Sequence, residues 1–325
     1  MNKNLYIIGN GFDLHHNINS KYIDFREWIF ENNIDLICKI EEIYGICYEE
    51  WWSNFEEQLA YLDVYGFSYE IAYQNTPDLM SDHCDRTWND AAIETENKLS
   101  NLFNELKDYF RDWILQLNTP SKEKMIEIKI KNSIFLTFNY TKTLENLYRV
   151  PISQILHIHG CIDYDENFIL GHGKSFKELR KMIKYGDPKP PTIDDTEVYE
   201  EWKNEIEYSH PIHQQFAEDT ALTYIAYQKK PIDKLLKKYK SFFNSLSDVT
   251  DIHVYGFSFS EIDTPYLTHI AKIAKHAKWE ITHLSEIDKN KINEFINKNK
   301  INKYQIIKLE ELVCNKQLKI TFPKD

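Results

Sequence analysis

The nine residues Leu5-Tyr-Ile-Ile-Gly-Asn-Gly-Phe-Asp13 restrict this chain more than any other stretch. An apolar run of β-type residues enters a turn holding two glycines, and a polar, helix-compatible segment follows. That is the opening strand, turn and helix of a nucleotide-binding α/β domain. Gly9 and Gly11, with Asn10 between them, let the backbone approach a ligand with no Cβ in the way. The N–H groups that start the next helix then point toward any anion held there. Asp13 is placed either to cap that helix or to meet a ribose hydroxyl. Three later segments also end a strand in polar residues, and in an open parallel sheet such ends converge on one crevice.

After Gly11 the next convincing strand does not come until Ser133-Ile-Phe-Leu-Thr-Phe138. The text between is helical and aromatic. Leu99, Leu102, Phe103, Leu106, Phe110 and Trp113 recur at helical spacing, the pattern of core packing. The predicted architecture is therefore α/β: a Rossmann-like, mostly parallel sheet flanked by helices, in a single domain over 1–325 with helical insertions at about 20–118 and 175–246. Further strands are predicted within 155–160, 168–173, 251–255, 279–284 and 305–309. Helices are predicted over 22–30, 232–246 and from Thr264-Pro265, where proline suits a first turn. Gly186-Asp-Pro-Lys-Pro-Pro191 marks a loop, and the Lys-Asn run at 289–303 a solvated helix and loop.

Charge narrows the partners. The net charge of −12 repels phosphodiester backbones and anionic membranes, so broad nucleic-acid binding is disfavoured. The five cysteines, Cys38, Cys47, Cys84, Cys161 and Cys314, are scattered without a C-x-x-C pair and read as reduced thiols. The first strand begins at once, leaving no room for a signal peptide. No apolar run reaches the roughly 18 residues of a membrane span. The expectation is a soluble, cytoplasmic protein.

Four segments stand out: Gly9-Asn-Gly-Phe-Asp13, Thr137-Phe-Asn-Tyr-Thr141, His157-Ile-His-Gly160 and Gly256-Phe-Ser-Phe-Ser260 with Asp263. Each has a plain structural alternative. His157 and His159 share a strand face, and either suits a packed core histidine, His157 above all. Asn139 and Asp263 each stand before a helix and suit an N-cap. Gly256 and Ser258 suit a turn through which backbone and hydroxyl reach a dinucleotide, and equally an ordinary βα turn. His15, His16 and Glu56 read as surface or packing residues. His157, His159 and His172 also resemble a histidine cluster, with Asp163 and Asp165 nearby, but not at a recognised ligand spacing. No metal is expected.

In order and wording these segments, with Gly171-His172-Gly173, resemble the AbiH family of bacterial abortive-infection proteins, over residue 5 to about 270. More distantly they resemble the NAD-binding domain of sirtuins. There a Gly-x-Gly turn, a Thr-x-Asn segment, a His-Gly pair and a late Gly-x-Ser follow in the same order. That resemblance implies a sirtuin-like sheet that binds NAD, with Asn139 and His159 in the catalytic positions and chemistry at the nicotinamide ribose. No four-cysteine zinc module appears, so a deacylase is not expected, and the nucleophile would be water. A histidine with a near-neutral pKa accepts a proton from water or a ribose hydroxyl, the role for His159. The Asn139 amide, both donor and acceptor, orients the water and holds the ribose. Gly9, Asn10, Gly11, Asp13, His172, Gly256, Ser258 and Asp263 are the expected cofactor-binding set.

The expectation is thus an antiphage protein that hydrolyses NAD to nicotinamide and ADP-ribose. Its expected partners are NAD or a related nucleotide, with a homo-oligomeric switch, a defence partner protein or a phage-derived trigger as restraint. Two other classes stay open. One is a nucleotide-binding sensor that acts through a partner. The other is a metal-dependent hydrolase or nuclease.

Overall fold

β1 (Asn4–Ile8) is buried on both faces, as a central strand of a parallel sheet must be. Its side chains alternate between two cores. Leu5 and Ile7 join a cluster with Val254, Phe257, Tyr266 and Leu267, while Tyr6 and Ile8 join one with Phe12, Phe135 and Tyr148. The computed structural model describes residues 3–77, 87–162, 168–183 and 210–313. Cys84, Cys314, Asp163, Asp165 and the loop at 186–191 lie outside the described residues.

The other strands are β2 (Ser133–Thr137), β3 (Ile155–His157), β4 (Asp251–Tyr255), β5 (Lys278–His283) and β6 (Tyr304–Lys308). All pair in parallel, in the order β3-β2-β1-β4-β5-β6. The α/β, Rossmann-like reading holds. This order reverses direction between β1 and β4, the switch point at which such sheets open a crevice beyond their carboxyl ends. Register brings those ends level: Ile8 lies beside Thr137 and Tyr255, and Thr137 beside His157. Whatever follows these four residues emerges at one edge.

The predicted strand at 168–173 does not form; only an isolated bridge joins His172 to Lys229. A strand needs a ladder, and the Gln228–Lys230 segment directly after the helix Ile212–Tyr227 offers no more than that single pairing. The Lys-Asn run lies on the helix Glu286–Asn299, which buries Ile292, Phe295 and Ile296.

The chain divides into two compact units. The sheet unit comprises Met1–Asp24, Arg111–Ile169 and Pro231–Asp325; the other comprises Phe25–Phe110 and Leu170–Lys230. Residues 231–246, read as part of an insertion, thus fall in the sheet unit, where Leu235, Phe243 and Leu246 pack into the core. Within the helical unit, Phe25 meets Trp52, Phe55 and Phe110 edge to face, and Trp52 stacks on Phe55 at 5.5 Å. The aromatic stripe is core. Lys230, almost fully buried, pairs with Glu56 at 2.9 Å. Removing one partner of such a pair strands a buried charge, so Glu56 is a packing residue of consequence.

One histidine links the fold to pH. His16, fully buried behind the first helix, donates from Nδ1 to the Phe12 carbonyl at 2.7 Å. Its Nε2 then accepts from the Tyr148 hydroxyl, also at 2.7 Å. Both nitrogens are satisfied only in the neutral ring, and burial pushes the pKa down to about 4. The unfolded chain takes up this proton from about pH 6.5, whereas the folded chain refuses it until about pH 4. The stability is therefore complete above pH 6.5 and lost as pH falls toward 4, by about 3 kcal/mol. Urea midpoints measured across that window should fall for the wild type and stay flatter for His16→Gln.

Candidate functional site

The turn after β1 does not face outward as its glycines suggest. The Gly9 N–H donates to the Tyr255 carbonyl at 3.0 Å and the Gly11 N–H to the Gly256 carbonyl at 2.8 Å. A Cβ on Gly9 would stand 2.7 Å from the Gly256 oxygen, and one on Gly11 would stand 2.9 Å from the Gly256 Cα. The glycines serve a backbone-to-backbone contact between the turns after β1 and β4. Those two N–H groups are already engaged, and the helix Asn10–His15, at six residues, is too short to present an anion site. The Asn10 amide is tied to Ser20, donating to its carbonyl at 2.8 Å and accepting from its hydroxyl at 2.7 Å.

Asp13 lies inside that short helix, so it is not its cap. Its buried carboxylate accepts from the Thr141 hydroxyl at 2.5 Å and the Thr143 hydroxyl at 2.7 Å. Burial raises its pKa, opposed by the two threonine bonds and by the nearby Asn139 amide. Asp13 therefore clamps the loop after β2 to the helix after β1. Asp13→Ala should cost about 2–4 kcal/mol, because two buried hydroxyls lose a charged acceptor; a denaturant midpoint measures it.

That loop presents Asn139. Its backbone N–H donates to the Thr137 hydroxyl at 3.1 Å, and its carbonyl stands 3.3 Å from His157 Nδ1. The side chain is only 6% exposed, yet neither Nδ2 nor Oδ1 has a hydrogen-bond partner among the described residues. Capping is not its role, since the following helix, Thr143–Tyr148, begins later with Lys142 in the cap position. An amide buried without partners is rare, and it calls for a water, an ion or a ligand. His157, read as structural, spends its Nε2 on Glu145 at 2.9 Å.

His159 comes from the residues just past β3. It is 1% exposed, and its Nε2 lies 3.4 Å from an Asp263 carboxylate oxygen. The ring sits among Phe138, Tyr140 and Tyr266, with centroids 5.5, 6.5 and 6.0 Å away. Asp263 occupies the N-cap position of the helix Thr264–Ile273, but its side chain makes no capping bond. Past β4, Gly256 has φ +63° and donates its N–H to the Thr282 hydroxyl at 3.1 Å. Ser258 is solvent-exposed. Phe259 also takes a positive φ, 53°, a conformation that bulky residues adopt only when their surroundings force it.

The sheet thus gathers Asp13, Asn139, His159 and Asp263 at its carboxyl edge. His172 belongs to the helical unit and is fully buried. Its Nδ1 accepts the Lys174 N–H at 3.0 Å and its Nε2 donates to the Ile225 carbonyl at 2.9 Å. Burial lowers its pKa. Both ring nitrogens are committed to backbone. A pocket of about 200 Å³ in the sheet unit is lined by Tyr140, Thr141, Lys142, Thr143, Asn118 and Ile162 among others. It adjoins the loop that carries Asn139 and holds Asp13, and its size suits part of a nucleotide rather than the whole.

Sequence reasoning missed Thr141 and Thr143 as anchors, Glu145 as the partner of His157, and Tyr266. Thr141 closes the Asn139 segment and Thr143 stands two residues beyond it, both readable as hydroxyl donors. Tyr266 follows Asp263 by three residues on an otherwise apolar helical stripe, where its hydroxyl gave no signal. Among the described residues no three His, Cys, Asp or Glu side chains are grouped so as to hold a metal ion, so His157, His159 and His172 form no such cluster. Among the same residues no helix is long and apolar enough to cross a membrane.

No curated protein and no solved structure matches the chain. A family model does, described as bacteriophage abortive infection AbiH, over residues 5–284. That span runs from the first strand to just past β5 and takes in all four residues at the sheet edge. The chain belongs to the AbiH family of bacteriophage abortive-infection proteins.

Proposed function

We propose that this abortive-infection protein hydrolyses NAD to nicotinamide and ADP-ribose, depleting the cofactor of an infected cell. The observation that carries the reading is the buried Asn139 amide, without a hydrogen-bond partner at bonding distance, in the loop after β2, with the His159–Asp263 pair past β3 and β4 at the same carboxyl edge of the sheet. The order of the four segments, similar to that of sirtuins, supports NAD as the nucleotide.

In the reaction the bond from the ribose C1′ to the nicotinamide nitrogen breaks. Its electron pair returns to the ring, so the cationic pyridinium leaves neutral. Positive charge builds on the ribose, and a water oxygen bonds to C1′ while losing a proton. Asn139 holds the water and the ribose in line for that attack, which is mostly a matter of orientation. His159 takes the proton, and the carboxylate of Asp263 beside Nε2 stabilises the imidazolium that results. Tyr140 and Phe138 give the site apolar walls that lower the local dielectric and strengthen both effects.

The test is chromatography of NAD incubated with the purified full-length chain, alone and with extract of phage-infected cells. Nicotinamide and ADP-ribose in equal amounts are expected in at least the second mixture. NAD left intact in both overturns the hydrolase and leaves a nucleotide-binding module.

A further inference from the structure

The edge of the sheet holds a second buried polar atom without a partner. Tyr266, in the first turn of the helix Thr264–Ile273, is fully buried, and its hydroxyl meets no hydrogen-bond partner among the described residues. Its ring lies edge-on to Phe138 at 5.6 Å and to His159 at 6.0 Å. Phe138 precedes Asn139 directly, so the loop after β2 and the helix after β4 each bring an aromatic ring against His159. Burial and the charge of Asp263 raise the phenol pKa, which keeps the hydroxyl a donor at neutral pH. A phenylalanine would pack in the same place without stranding an O–H, and stranding one costs stability. Folding alone does not call for this hydroxyl.

The ligand chemistry follows from the set. Tyr266 and the Asn139 amide nitrogen supply donors, and the Asn139 oxygen supplies an acceptor. Phe138, Tyr140 and Tyr266 supply aromatic surface around them. Several alternating donors and acceptors against aromatic walls suit a sugar with free hydroxyls. We propose that Tyr266 is a ribose-binding residue, its hydroxyl donating to the sugar of the bound nucleotide beside His159; this rests on the NAD reading above.

Tyr266→Phe separates this role from a structural one because the two predict opposite signs. In urea denaturation of the ligand-free full-length protein, the variant should unfold at or above the wild-type midpoint. In calorimetric titration with ADP-ribose, the same variant should bind roughly tenfold more weakly than the wild type. A lowered midpoint would show that the hydroxyl is bonded within the protein and overturns the proposal. Equal ADP-ribose affinity in the two proteins overturns it as well. A wild type that binds neither ADP-ribose nor NAD is a different failure: it removes the NAD reading, and the ribose contact goes with it.

Discussion

Replacing Gly256 with alanine is expected to unfold the protein or leave it insoluble. The residue sits at φ +63°, which costs a residue with a side chain about 1–2 kcal/mol. The greater cost is steric. The new Cβ would stand 2.0 Å from the Phe12 nitrogen and 2.4 Å from the Gly11 carbonyl carbon, both backbone atoms that no rotamer change can move. Relief requires the turns after β1 and β4 to separate. That would break the Gly11 N–H to Gly256 carbonyl bond and unseat Phe12, which is fully buried. The sum approaches the roughly 5–15 kcal/mol that holds a domain folded. Gly45 provides the control. It has φ +78° and ψ −176°, a backbone region nearly confined to glycine, but nothing lies within 4 Å of a Cβ, so Gly45→Ala carries backbone strain alone, about 1–3 kcal/mol. Urea midpoints for the pair separate the dihedral cost from the collision.

The second large effect is on activity. On the proposed reaction, Asn139→Ala should lower NAD hydrolysis by roughly 10²–10³, the usual loss when a placed polar group is removed from a reacting site. His159→Ala should lower it by roughly 10²–10⁴. The two differ in stability. The Asn139 amide lies close enough to the buried Asp13 carboxylate to favour its charge, so Asn139→Ala should lower the denaturant midpoint, but only modestly. His159 fills a pocket among Phe138, Tyr140 and Tyr266, so His159→Ala leaves a cavity and should lower the midpoint. Asp263→Asn gives a third signature. Removing the carboxylate from beside Nε2 should shift the acidic limb of the rate profile to lower pH, because the charged ring loses its stabilising neighbour. Initial rates of nicotinamide release across pH measure all three. Full activity in Asn139→Ala would remove that residue from the mechanism.

The sheet was largely legible in the sequence because parallel strands buried on both faces read as short apolar runs with sharp ends. Asp251–Tyr255 was read to the residue, and the strands near 279 and 305 began within one residue of their predicted starts. Phe168-Ile-Leu looked the same and is no strand, since strand propensity does not supply a neighbour to pair with. At the site, the segments of His159 and Asp263 hold two side chains that the structure brings to 3.4 Å, and that of Asn139 ends at the same edge of the sheet. What they do locally was not legible. Asp263 before Thr-Pro reads as a cap, and only tertiary structure turns its carboxylate toward His159. The glycine turn is a similar case. Sequence shows that the backbone must come close to something there, but it does not say whether that is a phosphate or another turn. Tyr266 was invisible, because a tyrosine on an apolar stripe is counted for its ring.

The placement of β1 has a consequence for the order of events in the cell. Of the six strands this one leaves the ribosome first, yet it is bracketed by strands that begin at Ser133 and Asp251. Asp13 finds Thr141 and Thr143 only after the first of these is made, and His159 finds Asp263 only after the second. Domains fold as units once their parts are present, and pairings between distant segments come late. The crevice is therefore among the last features to come into being, and a nascent chain that has not passed Asp263 carries no working site. A product cut short before β4 would also lack one of the two middle strands of its sheet. With the activity proposed above, the chain is in this way inert until its synthesis has passed Asp263.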